Sequence, residues 1–203
     1  MRTKPLKTVA LLARQPGLNV LKDYLLHSKD IDLKCVFTHG KLPKAEGGET
    51  RDDFEVFQDL CKAHNIPLHA VDYPEAKDIS PYLPEDEIDM MVSLSWRYLV
   101  PQHVLDRFKV GTTNLHRGYL PTYGGAEPVR RAIEAGETSV SITAHEMTIE
   151  IDGGDKLAEV HLPIAPCPSE QSPSDYAEVV KKQLEPLYPD LCNLAIKSWL
   201  ARG

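Results

Sequence analysis

Asn114, His116 and Asp152 are the side chains in this sequence whose types and spacing suit chemistry on a carbonyl group. Asn114 and His116 stand two residues apart in the run Gly-Thr-Thr-Asn-Leu-His at 111–116, which reads as a β-strand. Side chains alternate faces along a strand, so the amide and the imidazole point the same way. The Asn amide offers N–H donors and the imidazole offers another. Two donors aimed at one point can hold the oxyanion that forms when a carbonyl carbon is attacked. Asp152 lies in the turn Ile-Asp-Gly-Gly at 151–154. A carboxylate there can accept a proton from an attacking amine or orient His116. Spacing alone leaves a second reading open, in which Asn114 caps a turn and His116 is a hydrogen-bonded core histidine.

The elements that must position these groups follow from the hydrophobic pattern. Thr8 to Ala13 reads as a first strand, and Gly17 to about Ser28 as a helix with Leu18, Leu21, Leu25 and Leu26 on one face. Ile31 to Thr38 reads as a second strand, followed by a polar loop from Gly40 to Thr50. A helix near Arg51 to His64 and a short strand at Pro67 to Val71 come next. Ile88 to Leu94 is nearly all apolar, as a strand covered on both faces should be. Such alternation predicts an α/β fold: a mostly parallel, Rossmann-like twisted sheet with helices on both faces. Ligands of such sheets sit beyond the C-terminal ends of the strands, where Asn114 and His116 fall.

The second half of the chain has a different pattern. Pro128 suits a helix start and Gly136 its C-terminal cap, with Val129, Ala132 and Ile133 as the buried stripe. Ser139 to Thr148 and Asp155 to Ile164 read as an antiparallel hairpin. Asp175 to Ala201 reads as a C-terminal helix broken near Pro186 and Pro189. No internal repeat interrupts residues 1–203, which are expected to form a single catalytic domain.

Composition narrows the class. The chain has 203 residues, 42% of them hydrophobic and 26% charged, as in ordinary globular proteins. Lys and Arg number 23 against 30 acidic residues, for a net charge of −7, which speaks against a nucleic-acid partner. No apolar run approaches the roughly 20 residues a membrane helix needs, so no membrane partner is expected. Basic Arg2, Lys4 and Lys7 precede the apolar run Val9 to Ala13, which is too short for a secretory segment; a cytoplasmic location is the expectation. Cys35, Cys61, Cys167 and Cys192 lie far apart and read as free thiols, with no metal-ligand spacing.

Residues 88 to 164 resemble the folate-dependent formyltransferase family, which includes methionyl-tRNA, glycinamide ribonucleotide and amino-sugar formyltransferases. The family pattern is an Asn-x-His pair, a Ser-Leu-Leu-Pro-x-Tyr-x-Gly loop, a proline helix start and an Asp-x-Gly turn. This chain matches it at Asn114, His116, Leu120, Pro121, Tyr123, Gly125, Pro128, Ala132, Gly136, Asp152 and Gly154. Thr143 and His145 fit the strand before the turn. The resemblance implies an enzyme that moves a formyl group from 10-formyltetrahydrofolate onto an amine. Asn114 and His116 would stabilise the oxyanion and Asp152 would manage the proton. It also places the pterin between Arg97-Tyr98-Leu99-Val100 and Ile149-Glu150-Ile151-Asp152, and draws suspicion of a cis bond to Leu120–Pro121.

Departures from the pattern fall on the acceptor side. Gly118 replaces the loop serine and Tyr119 the following leucine, Arg117 stands for a frequent proline, and Gly124 for a frequent basic residue. Acceptor contacts are expected from Gly118, Tyr119, Leu120, Pro121, Tyr123 and Gly125. The turn after the first strand reads Arg-Gln-Pro-Gly-Leu-Asn at 14–19, where the glycinamide ribonucleotide enzymes carry a Gly-rich phosphate cradle. Pro16 removes an amide donor there, and Arg14 is left as a phosphate ligand. The expected acceptor is therefore a small amine, with an amino sugar, free or nucleotide-linked, ahead of glycinamide ribonucleotide. Hydrolysis of the donor and a non-catalytic folate- or nucleotide-binding module are the alternatives, and a homodimer is the assembly considered.

Overall fold

All seven residues of Ile88–Leu94 are buried, and the strand they form lies in the middle of a seven-stranded sheet. The computed structural model describes residues 4–202, so Arg2 of the basic N-terminus lies outside the described residues. The strands are β1 (Leu6–Leu12), β2 (Ile31–Thr38), β3 (Leu68–Ala70), β4 (Ile88–Leu94), β5 (Phe108–His116), β6 (Ser139–Glu146) and β7 (Lys156–Pro163). Their order across the sheet is β3-β2-β1-β4-β5-β6-β7. The first five run parallel, β6 pairs antiparallel with β5, and β7 pairs antiparallel with β6. The expected α/β architecture with its antiparallel hairpin and C-terminal helix is thus the observed one.

The helices are α1 (Arg14–Val20, continuing as a π-helical turn over Leu21–Leu25), α2 (Phe54–Ala63), α3 (Gln102–Leu105), α4 (Pro128–Glu134), α5 (Pro173–Leu184) and α6 (Tyr188–Arg202). Their cover is uneven. One face of the sheet carries the larger core, where Ala10, Val36, Met90, Val92 and Ile142 meet Leu21, Phe57, Val129, Val180 and Ile196 from five of the helices. The other face, with Val9, Phe37 and Met91, is closed by α3 and by short 3-10 turns that contribute Ala76 and Ile79. Packing on two faces explains the unbroken apolar character of β4.

Beyond shifted ends, such as β1 starting at Leu6 and α1 at Arg14, two elements differ from the sequence reading. β5 begins at Phe108, three residues before Gly111, because Phe108 pairs with Ile88. Helix α3 was not anticipated; four residues are too few for a periodic signal. Helix α6 packs on β5, β6 and β7 of its own sheet, and the Trp199 indole N–H donates to Thr113 Oγ1 at 2.8 Å. That contact fixes the back of the strand that carries Asn114 and His116. All four cysteines are free, and no described helix is long and apolar enough to cross a membrane.

Candidate active site

The register of β5 against β6 places His145 opposite Asn114 and Thr143 opposite His116. Asn114 Nδ2 donates to His145 Nε2 at 3.1 Å, and His145 Nδ1 donates to the Glu146 carbonyl at 2.8 Å. Those partners assign neutral His145 its proton on Nδ1, leaving an Nε2 lone pair that accepts from the amide. One N–H of Asn114 is spent on this bond and orients the amide; its second N–H is free. His116 carries its proton on the other nitrogen: Nε2–H donates to the Tyr123 carbonyl at 2.8 Å. The Nδ1 lone pair of neutral His116 then faces Asp152 Oδ2 at 3.4 Å, while His145 Nε2 stands 3.4 Å from Asp152 Oδ1.

The chain approaches Asp152 through a turn that few sequences can make. Asp152 itself has φ 53°, a left-handed conformation that Asp tolerates better than most side chains. Two residues on, a Cβ on Gly154 would overlap the Glu146 carbonyl, so only glycine lets the turn close on the end of β6. The Gly125 N–H, from the loop after β5, donates to Asp152 Oδ2 at 2.7 Å. Burial pushes the Asp152 pKa up, but the adjacent His145 ring, the Gly125 N–H and the His116 ring outweigh it. The net shift is below the ordinary carboxylate value. Burial lowers the His116 pKa, and the Tyr123 and Asp152 contacts offset this only in part. At neutral pH the site therefore holds an ionised Asp152 beside the two imidazoles.

The loop from Arg117 to Gly125 is held against the same point. A Cβ on Gly118 would lie 2.5 Å from the Tyr123 carbonyl and 2.8 Å from His116 Nε2. Glycine in place of the family's serine is thus what lets the His116–Tyr123 bond form here. Thr143 Oγ1 donates to the Gly118 carbonyl at 2.7 Å, and Arg131 donates to the carbonyls of Gly124 and Ala126. The Leu120–Pro121 peptide is cis.

Beside Asn114, His145 and Asp152 opens a cleft of about 290 Å³. Arg97, Tyr98, Leu99, Val100, Glu150 and Ile151 line it, as does Trp96; Ile149 stands exposed outside. Leu99 and Ile151 are 60% and 67% exposed, two large apolar side chains left in water at the rim. The acceptor-side residues divide. Gly118, Tyr119 and Tyr123 line a separate cavity of about 230 Å³ between the loop, α4 and the β6–β7 hairpin. Leu120 turns into the core, and Gly125 serves Asp152. Arg14 lines a third cavity, and one of its terminal nitrogens donates to both carboxylate oxygens of Glu46 at 2.8 and 2.9 Å.

Two placements add bonding partners that the sequence reading did not contain. His116 was expected to offer a second N–H to an oxyanion, but its N–H is committed to the Tyr123 carbonyl. The uncommitted donor is the Asn114 amide. One terminal nitrogen of Arg14, expected as a phosphate ligand, donates to the carboxylate of Glu46, 32 residues away. His145 and the Tyr123 carbonyl complete the site, and no spacing rule pointed to the carbonyl. Among the described residues no group of three His, Cys, Asp or Glu side chains is arranged to hold a metal ion.

Solved structures share this fold over nearly the whole chain. A phosphoribosylglycinamide formyltransferase from Bacillus halodurans superposes with TM-score 0.69 at 20% identity, covering 97% of this chain and 96% of that one. One from Anaplasma phagocytophilum gives 0.68 at 18%, covering 96% and 88%. A formyltetrahydrofolate deformylase from Pseudomonas syringae gives 0.70 at 18%, covering 98% of this chain but 63% of that longer one. The sequence match comes from the family model for formyl transferases, which spans residues 8–191 and so contains every group described above. The chain belongs to the formyl transferase family, enzymes whose formyl donor is 10-formyltetrahydrofolate.

Proposed function

We propose that this enzyme transfers the formyl group of 10-formyltetrahydrofolate to the primary amine of a small acceptor, and that residues 1–203 act as one catalytic domain. The observation that carries the reading is the convergence of Asn114, His145 and Asp152 on the 290 Å³ cleft, with His116 against Asp152. The cleft suits a flat, partly apolar ring with polar edges. Leu99 and Ile151 supply apolar rims, and the backbone of 97–100 and 149–152 supplies donors and acceptors.

The donor brings an electrophilic formyl carbonyl. Everything else is the protein's part. The free N–H of Asn114 points a donor at the carbonyl oxygen as negative charge develops on it, and His145 keeps that amide from rotating. Asp152 accepts the proton that the attacking nitrogen must lose, directly or through one water. His116 Nδ1, 3.4 Å from Asp152 Oδ2, stabilises the protonated carboxyl by accepting its hydrogen bond, while His145 Nε2 is held by the Asn114 amide. His116 is therefore a positioning residue for Asp152 and for the Tyr123 loop.

An amino sugar remains the favoured acceptor. The turn after β1 offers no Gly-rich amide cradle, Pro16 lacks an N–H, and Arg14 is already neutralised. These features weigh against a terminal phosphate of the glycinamide ribonucleotide kind at that turn. The test is release of tetrahydrofolate from 10-formyltetrahydrofolate with free amino sugars, nucleotide-linked amino sugars, glycinamide ribonucleotide or no amine. Amine-dependent turnover with a sugar supports the proposal. Turnover without amine would make the enzyme a hydrolase, and turnover with the ribonucleotide alone would reassign the acceptor.

A further inference from the structure

The cavity of about 230 Å³ between the loop after β5, α4 and the β6–β7 hairpin is lined by none of Asn114, His145 and Asp152. Tyr119, Val129 and Ala132 give it an apolar side, and Ser139, Ser141 and His161 a polar wall. Strand geometry builds that wall. Ser139 and Ser141 alternate onto one face of β6, and His161 of β7 pairs directly opposite Ser141.

Ser141 Oγ lies 2.8 Å from His161 Nδ1. His161 Nε2 stands 3.5 Å from Glu159 Oε1, a buried oxygen with no hydrogen-bond partner among the described residues. Glu159 is two residues back on the same face of β7, and Lys156 holds its other oxygen at 2.6 Å. An ionised carboxylate can only accept. Glu159 therefore draws the proton of the neutral imidazole onto Nε2 and leaves an Nδ1 lone pair, to which the Ser141 hydroxyl donates. These are the parts of an activated serine: a nucleophile, a base within hydrogen-bond reach, and a third group that sets the base's tautomer. Ser141 is 4% exposed and lines the cavity, so a reagent meets it there. The Ser139 hydroxyl, on the same face, has no partner among the described residues and can donate to a carbonyl oxygen placed beside Ser141.

We propose that Ser141 is a second nucleophile, separate from the formyl-transfer centre, and that this cavity takes small carboxylic esters of an apolar or aromatic alcohol. Ser141 Oγ attacks the ester carbonyl carbon as its proton passes to His161 Nδ1. The bond from that carbon to the alcohol oxygen breaks, and the departing oxygen takes the proton, leaving an acyl–serine. Water then adds to the acyl carbon, giving its proton to the same nitrogen, and that proton returns to Ser141 as the carboxylic acid leaves. The test uses p-nitrophenyl acetate. Nitrophenolate release is followed by absorbance, and the acetylated residue is located by mass spectrometry. The expected result is an acetyl group on Ser141, with release slowed about 10²-fold or more in Ser141→Ala and His161→Gln. Amine-dependent formyl transfer should be unchanged in both. Glu159 acts through His161. Glu159→Gln should slow release and move the midpoint of rate against pH downwards, because the imidazolium loses its facing carboxylate while Glu137 on the cavity stays. Acetylation of lysine or tyrosine with Ser141 unlabelled overturns the proposal. So does release by either of the first two variants within about tenfold of wild type, or release by the wild type no faster than by heat-denatured protein. His161 is 59% exposed at its side chain, so His161→Gln should stay folded in a thermal melt and decides the matter if Ser141→Ala does not.

Discussion

Replacing Asp152 by Asn separates chemistry from architecture. The amide is isosteric with the carboxylate, and its oxygen can still accept the Gly125 N–H now held at 2.7 Å. With that oxygen kept in place, its NH2 takes the position of Oδ1, 3.4 Å from His145 Nε2, which already accepts from Asn114. The fold should therefore be retained, within about 1 kcal/mol at neutral pH. What disappears is the base. Loss of a positioned general base costs about 10²–10⁴ in rate, or about 3–5 kcal/mol of barrier. The assay is tetrahydrofolate release under saturating donor and amine, with donor affinity measured separately by fluorescence. The expected outcome is a drop in kcat of that size with donor affinity unchanged. A rate within tenfold of wild type, or a loss confined to KM, would refute the assignment of Asp152. A pH arm adds a sign. The folded pKa of Asp152 lies below its unfolded value, so its stabilisation is present above about pH 4 and lost as pH falls through the folded value. Asp152→Asn should lack that part of the acid sensitivity.

Three further outcomes follow from named contacts. Asn114→Ala removes an uncommitted side-chain donor beside Asp152 and should lower kcat about 10²–10³-fold while thermal stability changes little; turnover near wild type would exclude the amide as oxyanion donor. Gly118→Ala drives a Cβ against the Tyr123 carbonyl and His116 Nε2, at 2.5 and 2.8 Å. It should destabilise the protein by about 1–3 kcal/mol and abolish most turnover, as read from denaturant melts and the same assay. His39 is fully buried, donates from Nδ1 to the Val71 carbonyl at 2.9 Å and leaves Nε2 without a partner. Burial pushes its pKa down to about 4. Stability should therefore fall as pH drops from about 6.5 towards 4, by about 3 kcal/mol in all. His39→Phe, stacked on Trp96 as the imidazole is, should flatten that slope in melts across this range.

Much of the frame is written locally. The limits of β2 and β4 were readable to the residue, β2 from its alternating, β-branched start and β4 from its bounded apolar run, and neither needs distant information. The break between α5 and α6 was readable from Pro186 and Pro189, and the end of α4 from Gly136, whose φ is 76°. The same-face placement of Asn114 and His116 follows from strand periodicity alone. Where the pattern was short or broken, reading failed. Gly111 concealed the first three residues of β5, and α3 is a single turn.

Sequence alone thus determined the class of fold, the face that carries the chemistry, and the residue types brought to it. Tertiary structure decided what each polar atom is bonded to. His116 spends its proton on Tyr123, seven residues on, and Asn114 spends one of its two on His145, 31 residues away across the β5–β6 register. Arg14 donates to Glu46, and Arg117 Nε to the hydroxyl of Tyr188. The physical reason is range. Strand alternation and helix stops are set by neighbours within a few residues. A hydrogen bond is set by strand register and loop closure, and shifting either by one residue gives the same side chain a different partner.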